Sequence, residues 1–575
     1  VVGRPEVGWY RVEFLDKAGN MVGWTTVGVL ARLAEAVPED SPICVDAALS
    51  WYPERVADER QHLAELAALA GVSWIRDRLR WRDIQPAADT FAADTTLYDH
   101  LAAWQAGLGM KILQVFHGTP SWAAETPEKT GRIPSDLRLA YRFCKAMSER
   151  FKDQVEAWEP WNEANVSNFG GHTIDEICSH QKAAWLGFKA GNPKVTVGWE
   201  PLAGINIPSL VQGILNNETW PYYDTYNIHS YDWPDVYETL WGPAREAACG
   251  RPIWVTECDR GMKADPASPV GDLSRDFELR KAEFMAQSYA SSLHAGSKRH
   301  FHFILGHYME QNDTIQFGLL RRDLTPRPAY VALAALGRLL AGAQRLGRWV
   351  APDKPEAFIY LFRARPDGRE HDVMVAWSER TVDWEERGRA STPWNLPAKF
   401  TVEEVFDYLG RSLGRDIPSD LKSSPIFVVM PRGEADKVNL EKPSLSVYRE
   451  GAPSPIVLQF LAPASKAKVG REGWTEFHDR VVETSRENEA RIVVYNFSDQ
   501  PRNGTVAVES IPEGWQLDPD HWEVSLPPMG REELAAKLVL PTLGGVSTDG
   551  EWLKVRGDFG EAGKPVLAVR FRKQR

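Results

Sequence analysis

The sequence predicts an α/β fold: a (β/α)₈ TIM barrel preceded by an N-terminal β segment and followed by β-sandwich domains. Three observations carry the prediction. Between about residues 41 and 342 the chain repeats, eight times, a short apolar run, an amphipathic helical stretch and Gly or Pro punctuation. All but the first of the apolar runs are rich in Val, Ile, Leu, Phe and Trp, as strands buried on both faces are. Beyond residue 342 the helical period disappears and short alternating runs replace it. Eight such units favour a closed barrel over an open doubly wound sheet, the alternative arrangement.

The elements follow in order. Residues 1–40 contain GWYRVEFLDKAGNMVGWTTVGVL (8–30), which alternates about a Lys17-Ala18-Gly19-Asn20 turn and reads as a β-hairpin or the remnant of a larger β-domain. The barrel, residues 41–342, takes strands at 43–49, 72–79, 110–116, 155–161, 194–199, 225–231, 252–257 and 300–305. Its helices are expected at 57–70, 136–151, 174–189, 275–294 and 329–340, with another on which Leu97, Leu101, Trp104 and Leu108 share a face between a capping Asp94 and a terminating Gly109. Residues 343–436 form a first sandwich with strands at 357–363, 373–377, 402–408 and 425–430. After a linker near 434–444, residues 437–575 form a second, immunoglobulin-like sandwich with strands at 456–460, 490–496, 504–508 and 566–571.

Composition narrows the function. The chain has 575 residues, 43% hydrophobic and 25% charged, and no run of the ~20 apolar residues a membrane span requires. Its formal charge of −12 argues against nucleic acid as a partner. Five cysteines without a CxxC pair suggest buried thiols rather than a disulfide framework or zinc knuckle. The start at Val1, without a basic or apolar leader, fits a processed or trimmed chain and leaves the compartment open; a secreted or periplasmic location is favoured over a cytoplasmic one on no single motif. The 23 Trp, 16 Tyr and 22 Phe suit stacking on sugar rings, although core packing accounts for most of them.

Reactive groups of such a barrel come from the carboxyl ends of its strands. There stand Trp158-Glu159-Pro160-Trp161-Asn162-Glu163 on strand four and Trp254-Val255-Thr256-Glu257 on strand seven. The separation of the two glutamates, 94 residues (257 − 163), is three strand steps of about 31 each, which puts both on one rim. Glycosidic cleavage needs such a carboxyl pair, one to protonate the leaving oxygen and one to attack the anomeric carbon. A lone glutamate at a strand end is more often a solvated rim charge. Glu159 and Glu200, which lack this setting, are read as surface or subsite polarity.

Trp161-Asn162-Glu163 and Thr256-Glu257 resemble the signatures of glycoside hydrolase clan A, retaining enzymes of this barrel fold, over residues 44 to about 340. The resemblance implies Glu163 as general acid/base and Glu257 as nucleophile. It further implies that Arg76, in Trp74-Ile75-Arg76 five residues before Trp81, holds the nucleophile ionised, that Asn162 binds the sugar 2-hydroxyl, and that Tyr231 of the His229-x-Tyr231 pair donates to the nucleophile. His117, in Phe116-His117-Gly118-Thr119-Pro120-Ser121-Trp122, resembles a segment lining the −1 subsite. These details are closest to family 39, the β-xylosidase and α-L-iduronidase family, and related branches. Two positions depart: Phe303-Ile304-Leu305-Gly306-His307-Tyr308 stands where many members end strand eight with Trp, and Cys258 follows the nucleophile.

The implied activity is hydrolysis of a β-linked oligo- or polysaccharide by double displacement, with no metal or cofactor. Transglycosylation at the same site and a non-catalytic carbohydrate-binding role are alternatives; a lectin has no use for a paired acid and nucleophile. A metal-dependent barrel hydrolase is a third, suggested by His300, His302 and His307, but no second ligand cluster accompanies them. Arg76, Arg78, Arg80 and Arg82 alternate toward one face of strand two; one could meet a substrate carboxylate such as a uronic acid, and surface ion pairing is the simpler reading for Arg80 and Arg82.

Overall fold

The structure, a computed structural model, describes residues 5–52, 58–125, 131–205, 207–268, 270–352, 357–378, 391–393, 400–461, 466–472, 475–482, 487–540 and 550–573. Eight parallel strands form a curled sheet: Ile43–Asp46, Trp74–Arg80, Lys111–His117, Val155–Glu159, Thr196–Val197, Tyr226–His229, Ile253–Cys258 and Ser297–Phe303. Strand one pairs with both strand two and strand eight, so the sheet rolls round its own first element. A single parallel bridge, Gly198 to Thr225, closes the remaining gap between strands five and six. The barrel expected from the eightfold repeat is therefore present, with every expected strand in place.

The helices differ from expectation in their ends. Thr96, not Asp94, caps Leu97–Gly107, because its side chain and that of Asp99 complete a reciprocal capping box. The expected start at 57 lies outside the described residues; the described helix there is Glu59–Leu69. Pro208–Asn216 and Gly242–Ala248 are helices too short to give a strong periodic signal. None of the described helices is long and apolar enough to cross a membrane, and all five cysteines are buried free thiols.

The barrel interior is layered. Cys44, Trp74, Leu113, Ala157, Trp254 and Phe301, from six strands, fill its lower layer, with Trp74 and Trp254 edge to face at 5.1 Å. Burying side chains as large as these contributes roughly 1.5–3 kcal/mol each. Because side chains alternate along a strand, the residues two positions further on also point inward: Asp46 above Cys44, Arg76 above Trp74, Glu159 above Ala157 and Phe303 above Phe301. An apolar plug is thus overlain by a charged floor facing the carboxyl ends of the strands.

Around the barrel sit antiparallel sheets. The N-terminal hairpin pairs Gly8–Leu15 with Met21–Val29. A six-stranded sheet between residues 344 and 431 turns one face, including Tyr360, Val375 and Phe427, toward the barrel and the other toward a smaller core around Trp349, Leu361 and Met430. Beyond it, a four-stranded and a six-stranded sheet spanning residues 456–573 face each other across Ile456, Leu458, Val506, Val555 and Val569. This distal sandwich rests on barrel helices through Val457, Val493 and Tyr495 against Leu137 and Ala183. Lys182, buried, donates to the Val566 carbonyl across the same seam and to the Asn217 carbonyl within the barrel.

Candidate active site

Glu257 reaches the charged floor through an irregularity. Simple alternation from the inward Trp254 would turn Thr256 inward and Glu257 outward. Strand seven instead slips register against both neighbours: Ile228 pairs with Val255 but His229 with Glu257, and His300 pairs with Val255 but His302 with Cys258. The extra residue is a β-bulge, a device that re-aims a side chain. It brings the Glu257 carboxyl over the barrel axis.

There it is held by four groups. Arg76 Nη1 donates to Oε1 at 2.5 Å and Arg78 Nη2 donates to the same oxygen at 2.9 Å. The Tyr231 hydroxyl donates to Oε2 at 2.6 Å, and His229 Nδ1 lies 3.6 Å from Oε2. Burial pushes the Glu257 carboxyl up, but His229, Arg76, Arg78 and the Tyr231 hydrogen bond outweigh it and bring it to about 2. Tyr231 moves the opposite way, raised well above its ordinary value by burial and by Glu257 and Glu163, so it stays a donor.

Arg76 organises the floor. Fully buried, it donates from Nε to Glu159 (2.7 Å), from Nη1 to Asp46 (2.8 Å) and from Nη2 to the Asn162 side-chain oxygen (2.9 Å). Burial alone would lower its pKa; Glu159, Glu257 and Asp46 hold it well above the ordinary value. Arg78 also binds Asp46. Burial and the nearby Glu257 push the Asp46 carboxyl up against the pull of both arginines. Asn227 closes the ring by donating to the second Glu159 oxygen at 2.8 Å.

Glu163 hangs over this floor from the other side. Its backbone is left-handed (φ 47), uncommon for a residue with a side chain and frequent where function dictates direction. Its N–H donates to the Pro201 carbonyl, and its carboxylate lies 2.7 Å from His229 Nδ1. Oxygen atoms of Glu163 and Glu257 and a ring nitrogen of His229 all lie within 4.8 Å of one another. The two carboxyl groups thus face each other across a cleft of about 720 Å³ walled by Trp51, Phe169, Tyr231, Phe303, Tyr308 and Phe317.

Of the residues expected from sequence, Glu163, Glu257, Arg76, Asn162, His229 and Tyr231 converge here. His117 packs edge to face with Trp51 and Phe169, two rings of the cleft wall, and burial followed by the Arg78 charge lowers it to about 3. Phe303 ends strand eight and packs on Tyr231, Tyr308 and Phe317, so an aromatic cluster forms this side of the cleft wall. Glu159 and Glu200, read as surface or subsite polarity, are both fully buried: Glu159 belongs to the floor, and Glu200 pairs with His180.

Comparison with solved structures adds the fold. A family 39 glycoside hydrolase from Bacteroides cellulosilyticus WH2 superposes with a TM-score of 0.56 at 19% identity, over 74% of this chain and 88% of its own. The chain has the fold of the clan A glycoside hydrolases. A GH30 endoxylanase from Clostridium papyrosolvens C71 is a looser match, with a TM-score of 0.47 at 13% identity over 69% and 98% of the two chains. No protein-family model and no curated protein matches the sequence.

On this glycoside hydrolase fold, several residues that sequence reasoning missed line the site. Asp46 and Glu159 are signalled only by alternation from Cys44 and Ala157. Glu310, whose carboxyl burial and the charges of Glu257 and Glu163 push up, lines the cleft from the loop after strand eight, and Glu476 enters from the distal sandwich. Among the described residues, Glu163, His229 and Glu257 are the group spaced to hold a metal ion. A cation there would sit against the Arg76 and Arg78 guanidiniums, which already occupy Glu257, so the donor set fits a metal poorly. His300 and His302 turn outward to the helix Arg275–Ala295, where they meet Ser288 and Phe284.

Proposed function

We propose that this chain is a retaining β-glycoside hydrolase that acts on a β-linked oligo- or polysaccharide through a glycosyl-enzyme intermediate. The observation that carries the reading is the approach of the two carboxylates to within 4.8 Å, oxygen to oxygen, with Glu257 held ionised. Direct attack requires carboxyl groups about 5–5.5 Å apart, whereas an intervening water requires about 6.5–9.5 Å.

In the first step the Glu257 carboxylate bonds to the anomeric carbon as the glycosidic C–O bond breaks, and Glu163 gives its proton to the departing oxygen. Oε1 is tied to both arginines; Oε2, which accepts the Tyr231 hydroxyl, is the oxygen left to attack. Ester formation removes the negative charge of Glu257. Glu163, now a carboxylate, takes a proton from water as the water oxygen displaces Glu257 and restores both groups. Asn162, fixed by Arg76, is placed to meet the sugar 2-hydroxyl, and the aromatic walls suit the C–H faces of sugar rings.

The test is turnover of a panel of aryl β-glycosides and β-linked oligosaccharides, uronides included, with the anomer of the first-formed product read by proton NMR. A β-anomer product supports the reading. An α-anomer, or equal turnover by wild type and Glu163→Ala, sinks it.

A further inference from the structure

Glu476 lines the cleft, yet it belongs to the distal sandwich, on the strand Thr475–Val482 that pairs with Lys466–Glu472. Its seat is built from both sides. Ser167, four residues beyond Glu163, donates to a Glu476 oxygen from its backbone N–H (3.1 Å) and its hydroxyl (2.6 Å). The Asn165 side chain donates to the Glu476 carbonyl at 2.7 Å and is itself locked to Ala203 by two hydrogen bonds. His478 Nδ1 lies 3.0 Å from the Asn165 carbonyl. The barrel loops are also hollowed to receive this strand. At Gly204 (φ 88) a Cβ would fall 2.6 Å from the Thr475 side chain, and at Gly171 (φ 59) it would fall 3.0 Å from the His478 ring. Farther along the same strand, buried Arg480 pairs with Asp175 at 2.7 Å.

The place of this contact gives it a meaning that rests on the hydrolase reading above. Glu163 protonates the departing oxygen, so residues gathered on the Glu163 loop flank the departing group, whereas Glu257 and the charged floor lie beneath the ring under attack. A carboxylate beside a serine hydroxyl recognises sugar hydroxyls by charge-assisted hydrogen bonds. We infer that Glu476, with Ser167, binds the departing sugar, which makes the distal sandwich a specificity-determining wall of the active site.

The experiment compares two substrates with the same glycone: a phenyl β-glycoside, whose poor leaving group still needs the proton from Glu163 but carries no hydroxyls, and the corresponding β-1,4-linked disaccharide. The glycone is the one that wild type cleaves best among 4-nitrophenyl β-xyloside, β-glucoside, β-galactoside and β-mannoside. Glu476→Ala lowers kcat/KM roughly 10- to 100-fold more on the disaccharide than on the phenyl glycoside, the range expected for a lost hydrogen bond to a charged group. Glu476→Gln, which keeps an acceptor for Ser167, shows the same selectivity to a smaller degree and serves if the alanine variant does not fold. Equal losses on both substrates would place Glu476 in support of the Glu163 loop and overturn the inference, as would no loss on either. Should wild type cleave no member of the wider panel, uronides and oligosaccharides included, the hydrolase reading falls and this inference with it; turnover without selectivity removes the inference alone.

Discussion

At the barrel mouth two arginines, Arg76 and Arg78, meet three carboxylates and lie beside an imidazole, and the cluster is open on one side to a cleft. At the seam with the distal sandwich, one arginine, Arg480, meets Asp175, accepts a place over the Phe460 ring and donates to the Phe460 carbonyl, with neither charge exposed. Both regions bury charge at a desolvation cost of several kcal/mol per ion, which only dense hydrogen bonding offsets. The difference lies in balance. At the seam Arg480 holds one Asp175 oxygen at 2.7 Å with Glu176 farther off at 3.9 Å, and the Thr173 hydroxyl caps the other Asp175 oxygen, so the pair has no capacity left for a ligand. The mouth has more carboxylates than guanidiniums, and the unequal sharing leaves Glu257 ionised and facing open space.

The comparison breaks most sharply at Glu257. Glu257→Ala lowers kcat on an aryl β-glycoside on the order of 10⁴-fold or more. The fold survives, because Arg76 keeps Asp46 and Glu159, and Arg78 keeps Asp46. Azide restores turnover by taking the place of the lost carboxylate, and the product is an α-glycosyl azide. Failure of azide to rescue this variant would remove Glu257 from the nucleophile role. At the seam the same kind of deletion acts on folding instead. Arg480→Met leaves Asp175 buried without its cation, and costs about 3–5 kcal/mol of unfolding free energy by urea titration, with far less effect on aryl glycoside turnover than Glu257→Ala. A cost below about 1 kcal/mol would mean that the seam is not held by this pair.

How much of this was legible depended on how local the signal was. All eight barrel strands could be read, because strands buried on both faces are apolar runs and the helices between them carry a longer period. Glu163 and Glu257 were found by position at strand ends and by their neighbours in sequence. The bulge was not legible: alternation from Trp254 argues against Glu257, and only the unequal pairing with strands six and eight shows why it points inward. Asp46 and Glu159 obey alternation, yet each is a single acid at a strand end, a pattern that solvated rim charges share. Glu476 had no local signal at all, since its partner Ser167 is 309 residues away. His117 was placed by resemblance in the subsite lining, and it packs edge to face on Trp51 and Phe169, which line the cleft.

Smaller effects sharpen the account of charge balance through pH. Glu257 binds its proton near its ordinary value of 4.5 when unfolded but only at about 2 when folded. The stability this contributes is complete above pH 4.5 and is lost as the pH falls toward 2; Glu257→Gln flattens that part of a pH–stability curve. Removing a cation beside a carboxylate disfavours its charged form. Arg78→Met therefore moves the acid limb of kcat/KM, set by Glu257, upward by roughly 1–3 pH units. An unmoved limb would show that Arg76 and Tyr231 suffice.

The smallest effect comes from the same row of arginines. Arg76, Arg78, Arg80 and Arg82 alternate in sequence, and a continuous strand would aim all four at the barrel axis. The strand ends at Arg80, however, and Trp81–Ile84 is a helical turn, so the period of two does not extend to Arg82. The Arg82 side chain is 55% exposed and lies 3.8 Å from the Asp83 carboxylate. A screened pair of this kind contributes at most about 1 kcal/mol, and Arg82→Ala should change unfolding free energy by no more than about 0.5 kcal/mol and leave the pH profile of kcat/KM in place. A shift of the acid limb comparable to that of Arg78→Met would instead mean that the field at Glu257 is set by the whole row, and that the sharp division between a buried floor and a solvated rim is wrong.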